Sequence, residues 1–277
     1  MKTILVPIEL HTAIDSVLAT ALLLGNSFGA IVEGMSLGPD LPDLVAFDLP
    51  VSWTVADQTS WRELVDEGHR RFDSFMAASG VAPLGTAGAA GPTYGWSERS
   101  LGDSQLGSYA RIFDLSVVGR PGNDRGNPRL TTLEGALFDS GRPVILAPPE
   151  PPQKLGETIV IAWTKSIESA RTLALAQPFL ARANRVFILA ITDHGMEDPL
   201  VENIVENLCL NGIPASLASR SGKGKTLGEA WLGEAEALGA DLLIKGGFTR
   251  SRLRHMIFGD ATSHIVNNAK MPVMMAA

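Results

Sequence analysis

The sequence predicts two α/β modules in tandem, each built around a largely parallel sheet. First, the chain repeats itself: TILVPI at 3–8 recurs as TIVIAW at 158–163, and DLSVVG at 114–119 recurs as DLLIKG at 241–246. Second, strand-type and helix-type patterns alternate along the chain, which is typical of successive βα units. Third, a length of 277 residues fits two domains of about 100 to 200 residues each.

In the first half, short apolar runs rich in β-branched residues predict buried strands. The predicted strands lie at 3–8, 114–119 and 143–146, with a further strand within 80–94 and a long helix at 53–79. Pro39, Pro42 and Pro50 mark a loop at 38–52. A loop of that size without regular structure is usually functional or mobile.

The second half repeats the pattern. Strands are predicted at 158–163, 185–192, 214–218, 241–245 and 272–276, and helices at 167–182, 199–210, 227–238 and 253–265. Pro178 should kink or shorten the first of these helices. The run PPEPP at 148–152 predicts a stiff spacer. We therefore expect a first domain at 1–147, a linker at 148–156 and a second domain at 157–277.

Composition limits the classes of partner and compartment. The formal net charge is −7, and the acidic excess lies in the first half, so nucleic acid is a poor partner. The single cysteine, Cys209, has no partner for an intramolecular disulfide and is predicted to be a core thiol. Glu9, His11 and Asp15 interrupt the first apolar run, so we expect no membrane anchor and a cytoplasmic location.

The most specific local feature is the segment KGGFTRSRLRHMIFGDAT at 245–262. It predicts a strand that runs into a glycine turn and then a basic helix start. Exposed N–H groups and the helix dipole at such a place can hold a phosphate. The glycines are equally compatible with a tight strand-to-helix turn that has no ligand. Both interpretations stay open on this segment alone.

Several motifs together resemble the universal stress protein family in its tandem form. They are GADLL at 239–243, SRLR at 251–254, Phe258-Gly259 and MPVMM at 271–275, in addition to the internal repeat. The resemblance implies two five-stranded, mostly parallel domains with helices on both faces, in Rossmann-like or flavodoxin-like layering, related by a pseudo-two-fold axis. It also implies association through the closing strands, so that the two halves pair with each other, and a further homodimer stays open.

ATP-binding members of that family use Gly-x2-Gly-x9-Gly followed by Ser or Thr, and an Asp after the first strand. On this chain Gly246 and Gly259 take the first and third glycine positions. Thr249 stands at the second glycine position, Asp260 at the position of the Ser or Thr, and Thr164 at the position of the Asp. Thr249 adds bulk, and Asp260 adds a negative charge near phosphate oxygens. We therefore expect weak binding of ATP or another adenine nucleotide. The implied site residues are Ala162, Thr164, Gly246, Gly247, Thr249, Gly259, Asp260, Ala261 and Thr262.

The first half departs further from the motif. Gly119 and Gly122 provide an opening Gly-x2-Gly, but Thr132 falls at the third glycine position. Glu9 follows the first strand, where it is either a ribose contact or, as we favour, a solvated carboxylate. If one half binds a ligand, we therefore expect it to be the second.

Other functions are alternatives to a binding module. SGKGKT at 221–226 resembles the end of a P-loop, which would make the protein a slow ATPase or phosphotransfer protein using Lys225 and Thr226. Ser219 stands where that motif needs its opening glycine, so a polar turn is favoured. A third hypothesis is a purely structural protein that contacts an unknown protein partner through the 38–52 loop.

We expect a stress-response binding or regulatory module without turnover. No catalytic residue is predicted, because no serine has an identifiable base. No metal site is predicted, because His194 beside Asp193 gives at most a partial ligand set.

Overall fold

The computed structural model describes residues 1–38, 55–122, 126–195, 198–247 and 260–277, and of residues 55–61, 100, 103 and 104 it describes the backbone alone. The chain forms two compact units, Met1–Arg142 and Pro143–Ala277. The division precedes the 148–156 linker expected from the prolines, so the strand that follows Pro143 is grouped with the second unit.

The first unit contains a parallel sheet with the strand order β3-β4-β2-β1-β5. Its elements are β1 (Thr3–Ile8), α1 (Ile14–Phe28), β2 (Ile31–Leu37), α2 (Val55–Ala78), β3 (Ala82–Pro83), β4 (Thr93–Leu101), α3 (Asp103–Ala110), β5 (Leu115–Gly119) and α4 (Leu130–Asp139).

The second unit has the strand order β6-β11-β10-β7-β8-β9, which is parallel except for the antiparallel pair β6 and β11. Its elements are β6 (Val144–Ala147), β7 (Thr158–Ala162), α5 (Ile167–Leu175), α6 (Gln177–Leu180), β8 (Arg185–Thr192), α7 (Val201–Leu210), β9 (Ala215–Ser221), α8 (Leu227–Ala237), β10 (Leu242–Gly246), α9 (Asp260–Asn268) and β11 (Val273–Ala276).

The predicted α/β class is confirmed, and its cause is visible in the central strands. Every residue of β5 and of β10 is buried, because helices cover both faces of a parallel sheet. The repeat extends to hydrogen bonds: Asp114 Oδ2 accepts from Thr3 N at 3.1 Å, and Asp241 Oδ2 accepts from Thr158 N at 3.1 Å. In each unit a carboxylate thus ties the start of one strand to its neighbour.

The structure changes three local predictions. The strand expected within 80–94 is split into β3 and the longer β4, which continues to Leu101. The helix expected at 167–182 ends at Leu175, and Pro178 lies in the first turn of the separate α6. The expected core thiol is wrong, since Cys209 is exposed and its sulfur lies 3.4 Å from the Ala215 carbonyl oxygen; α7 buries Leu208 instead.

Two predicted segments fall largely on residues that are not described. The loop at 38–52 is described only at Gly38, and the last helix, expected at 253–265, is described from Asp260, where α9 begins. Among the described residues, no helix combines the length and apolar character needed to cross a membrane.

Candidate functional site

The predicted nucleotide site lies at the carboxyl ends of β7 and β10 in the second unit. These strands are parallel neighbours, and Lys245 is aligned with Ala162 in their ladder. Ala162, Gly246 and the segment that carries Thr164 therefore meet at one edge of the sheet. In open α/β sheets ligands bind outside this edge.

Contacts within the protein leave no room for a side chain at either Gly246 or Gly247. A Cβ on Gly246 would lie 2.8 Å from Ser169 N, at the start of α5. A Cβ on Gly247 would lie 2.7 Å from the Ala276 carbonyl oxygen, to which Gly247 N donates a hydrogen bond of 2.6 Å. The glycine turn therefore packs directly on α5 and β11, so its glycines alone do not indicate a ligand.

Thr164, which stands at the position of the family's Asp, belongs to a small hydroxyl cluster. It is 4 % exposed, and its Oγ1 lies 2.8 Å from Ser169 Oγ and 3.2 Å from Ser166 Oγ. Ser166 is the N-cap of α5 and accepts from Ser169 N at 3.1 Å. Because these hydroxyls bond to one another, the position offers no carboxylate to a ribose.

The remaining predicted site residues lie in the first turn of α9. Asp260 is exposed, Ala261 is partly exposed and Thr262 is buried. Helix α9 packs on α8, where a Cβ on Gly228 would lie 2.9 Å from the Ala261 carbonyl oxygen. Thr249 and Gly259 lie outside the described residues.

Lys245 was not predicted as a site residue, yet it is a cation inside the fold. It is 6 % exposed, and its Nζ donates to the Gly246 carbonyl oxygen at 2.9 Å and lies 5.0 Å from the centre of the Trp231 ring. Burial lowers the pKa of Lys245 to about 8, and the Glu168 carboxylate acts in the opposite direction. A lysine at the end of the apolar run Leu242-Leu243-Ile244 is a signal that the sequence already contained.

In the first unit, the corresponding turn is filled by side chains of the protein. A Cβ on Gly119 would lie 2.4 Å from Pro128 Cγ and 3.1 Å from His11 Nε2, and a Cβ on Gly122 would lie 2.4 Å from Asn127 Nδ2. Burial lowers the pKa of His11 to about 4, although a backbone hydrogen bond opposes the shift. His11 is therefore neutral at pH 7 and offers no positive charge to a phosphate.

The preferred interpretation of Glu9 as a solvated carboxylate is wrong. Its side chain is only 10 % exposed, and its Oε2 accepts from Arg129 N at 3.0 Å and lies 3.7 Å from Arg129 Nε. Arg129 precedes α4 and can therefore hold Glu9 against the start of that helix. Thr132, at the third glycine position, is buried in α4.

The Gly-Lys-Thr turn has the geometry of a helix cap. Thr226 Oγ1 accepts from Glu229 N at 3.3 Å, and the Glu229 carboxylate accepts from Thr226 N at 2.7 Å, which together form a capping box at the start of α8. Lys225 N donates to the Gly222 carbonyl oxygen at 3.1 Å. These groups satisfy one another, which favours a polar turn over a P-loop.

The loop after β8 brings Asp193 and His194 against the loop after β9. Ser221 Oγ donates to Asp193 Oδ2 at 2.6 Å, and His194 Nε2 lies 3.3 Å from the Gly222 carbonyl oxygen. Asp193 has a left-handed backbone, with φ of 71°. Over the described residues, there is no group of three or more acidic, His or Cys side chains that could hold a metal ion.

Comparison with known proteins gives one sequence match and several similar folds. Residues 220–277 match the model of the Universal stress protein family. No curated protein matches the chain in sequence.

Among solved structures, a universal stress protein from Archaeoglobus fulgidus DSM 4304 has a TM-score of 0.74 and 16 % identity, over 99 % of this chain and 95 % of that one. A putative universal stress protein from Pseudomonas aeruginosa UCBPP-PA14 has a TM-score of 0.53 and 13 % identity, over 100 % and 93 %. A functionally unknown protein from Pseudomonas aeruginosa PAO1 has a TM-score of 0.55 and 14 % identity, over 100 % and 92 %. At sequence identities this low, the similarity to these structures shows the fold alone.

The resemblance to the universal stress protein family is confirmed. The C-terminal segment, which carries β10 and α9, has the family's sequence pattern, and the chain as a whole has the fold of a universal stress protein of similar length.

Proposed function

We propose that the protein is a cytoplasmic stress-response module that binds a nucleotide or another anion weakly in its second unit and has no turnover of its own. The adenine nucleotides ATP and AMP are the ligands that the family resemblance favours. Ala162 and Thr164 would line the adenine side, and Gly246, Gly247 and the N–H groups of 260–262 would face the phosphates.

The observation that carries this proposal is the buried cation at the end of β10. Lys245 lies directly before the glycine turn, at the edge of a parallel sheet where ligands of α/β proteins bind. Its positive charge at this edge would attract an anionic ligand.

Two groups account for the expected weakness. Asp260 places a carboxylate in the first turn of α9, where the helix dipole would otherwise favour a phosphate. Thr164 provides a hydroxyl that already bonds to Ser169, instead of a carboxylate for the ribose. Both reduce affinity without closing the site.

Calorimetric titration of the full chain with ATP and AMP tests the proposal. We expect a dissociation constant in the micromolar range or above, and no phosphate release on prolonged incubation with Mg·ATP. Submicromolar affinity would contradict the weakened site, and absence of heat at millimolar nucleotide would contradict nucleotide binding altogether.

Asp260→Asn supplies the internal comparison, because it keeps the shape of the side chain and removes its charge. We expect about fivefold tighter ATP binding, corresponding to about 1 kcal/mol of relieved repulsion. Glu236→Gln removes an exposed charge elsewhere in the second unit, and its affinity should match that of the unmodified protein.

A slow ATPase that uses Lys225 and Thr226 is not supported by the contacts, since the Thr226 hydroxyl serves the capping box. A structural role through the 38–52 loop rests on residues outside those described.

A further inference from the structure

The outer strand of the second unit, β9, lacks the features that usually protect the edge of a sheet. Edge strands expose unpaired N–H and C=O groups, and most are short, charged, bulged or covered. The outer strand of the first unit, β3, has 2 residues and includes Pro83. In contrast, β9 has 7 residues and pairs with β8 in an unbroken register. Its single charged residue, Arg220, is bonded to Glu234 on α8, with 3.1 Å between Nε and Oε2.

The hydrogen bonds to β8 show which backbone groups of β9 point outward. The Pro214 carbonyl oxygen accepts from β8 at 3.0 Å, and Gly222 N donates to β8 at 3.1 Å. In a parallel strand, successive residues direct their backbone groups alternately to one side and the other. Even-numbered residues of β9 therefore face β8. The N–H and C=O groups of the odd-numbered residues, which include Ala215, Leu217 and Ser219, point to the open edge.

Some of these outward groups are satisfied within the chain and others are open. Ala215 N donates to the Ile213 carbonyl oxygen at 2.8 Å, and the Ser219 carbonyl oxygen accepts from the next side chain, an arginine, at 2.9 Å. The Ala215 carbonyl oxygen has the weak thiol donor of Cys209 at 3.4 Å, and its second lone pair can accept another bond. Among the residues that the structure describes, the N–H and C=O of Leu217 and the N–H of Ser219 have no partner.

We propose that β9 pairs with β9 of a second copy of this chain, in an antiparallel register centred on Leu217. In this register, Leu217 and the partner's Leu217 exchange N–H···O=C bonds, and Ser219 N donates to the carbonyl oxygen of the partner's Ala215. The two groups that would then face each other without bonding, Ala215 N and the Ser219 carbonyl oxygen, are those already satisfied within each chain.

The same match favours a second copy over an unrelated extended peptide. A peptide strand opposite Ala215 would present a carbonyl oxygen to an N–H that is already used, and opposite Ser219 it would present an N–H to an oxygen that is already used. A second β9 has its own groups satisfied at these two positions. The open groups are thus self-complementary under a two-fold rotation, which is the symmetry of most homodimers.

The side chains are compatible with this pairing. Because Arg220 reaches Glu234 on α8, even-numbered side chains lie on the α8 side of the sheet, and Leu217 lies on the opposite side. Leu217 packs against the partner's Leu217, an apolar pair of the kind that stabilises neighbouring strands. Arg220 is opposite the partner's Pro214, so like charges do not meet. This inference does not depend on nucleotide binding.

Sedimentation velocity of the full chain over a wide range of concentrations tests the pairing. We expect a monomer–dimer equilibrium. Leu217→Pro removes the central N–H, which points away from β8, so the ladder within the chain is kept. It should weaken dimerisation at least about tenfold, because two central hydrogen bonds are lost. Leu217→Val keeps the N–H and is the matched control, and it should dimerise like the unmodified chain.

Disulfide cross-linking tests the register, and it does so even if Leu217→Pro does not fold. In a Cys209→Ser background, Leu217→Cys places two thiols on opposed residues whose Cα atoms lie about 5.5 Å apart, within disulfide range. Ser219→Cys is the matched control, because its two copies are offset by roughly 13 Å along the strands. Under mild oxidation, non-reducing electrophoresis should show a covalent dimer of the Leu217→Cys variant and a monomer of the Ser219→Cys variant.

Three results would overturn the inference. The first is an unmodified chain that stays monomeric at every concentration. The second is a dimer that Leu217→Pro leaves unchanged, which would place the interface elsewhere. The third is a Ser219→Cys variant that cross-links as readily as Leu217→Cys.

Discussion

Lys245 carries a charge at a position where the other residues of β10 are apolar. Burial lowers its pKa from 10.5 to about 8 in the folded chain. Between these two pH values the unfolded chain binds the proton and the folded chain does not. Stability therefore rises with pH across this window, and the cost of the buried charge is fully present below it.

We predict that the free energy of unfolding increases between pH 7 and pH 10 by an amount on the order of 3 kcal/mol that is due to Lys245. Urea unfolding at a series of pH values measures it. In Lys245→Met this contribution should be absent, and the variant should be more stable than the unmodified chain at pH 7. The other titratable groups, including the Glu168 carboxylate that acts on Lys245, are present in both proteins, so the difference between the two pH profiles reports Lys245. Parallel pH profiles for the two proteins would contradict the prediction.

At the scale of single elements, the start of α8 distinguishes a helix cap from a phosphate-binding loop. The capping box uses both the hydroxyl of Thr226 and the carboxylate of Glu229. An N-cap hydroxyl contributes about 1 kcal/mol to stability. A P-loop threonine would instead contribute to Mg²⁺-dependent chemistry.

Thr226→Ala should lower the free energy of unfolding by about 1 kcal/mol and leave ATP affinity unchanged. Thr226→Ser keeps the capping oxygen and should restore most of the loss. Chemical denaturation and calorimetry measure the two effects. If Thr226→Ala has normal stability but no longer binds nucleotide, the result contradicts the capping role and supports the P-loop hypothesis.

The glycine turn after β10 offers a second prediction at this scale. Gly246→Ala should destabilise the protein by about 1 to 3 kcal/mol even without ligand, because the new Cβ would press on the backbone of α5. Gly233→Ala is the matched change within α8, where the nearest atom to a new Cβ is Lys225 Nζ at 4.0 Å. This control should stabilise the protein by about 0.5 to 1 kcal/mol, since alanine favours a helix interior over glycine. Equal thermal unfolding midpoints for the two variants would contradict the packing explanation.

At the scale of the whole molecule, the two units share a topology of parallel strands but differ at the turn where a ligand would bind. In the first unit Pro128, Asn127 and the neutral His11 occupy the space next to Gly119 and Gly122. Glu9 is held by Arg129 and is not presented to a ligand. The two units therefore share a fold and differ in the side chains that surround this turn.

This asymmetry predicts that the chain binds one nucleotide and not two. Calorimetry should give a stoichiometry near one per chain. Glu9→Gln should leave the affinity unchanged, whereas Asp260→Asn should raise it. A stoichiometry near two, or weaker binding by Glu9→Gln, would assign a ligand to the first unit.

Most of the fold could be predicted because buried parallel strands produce apolar runs that the sequence shows directly. The strands DLSVVG and DLLIKG were recognised as copies of one another, and both begin with an aspartate that makes the same bond to the backbone. Cys209 and Glu9 were misjudged for one reason. Periodicity shows that a helix or strand exists, but it does not show which neighbour covers a residue at its end.

The sequence by itself determined the α/β class, the internal repeat and the resemblance to a family, since these depend on local patterns of apolar residues and glycines. The tertiary structure decided the role of each site residue. It showed that Gly246 is needed by α5, that Thr226 caps a helix, and that Lys245 is buried beside Trp231. Burial and hydrogen-bond partners arise from segments far apart in the chain, so no local pattern contains them.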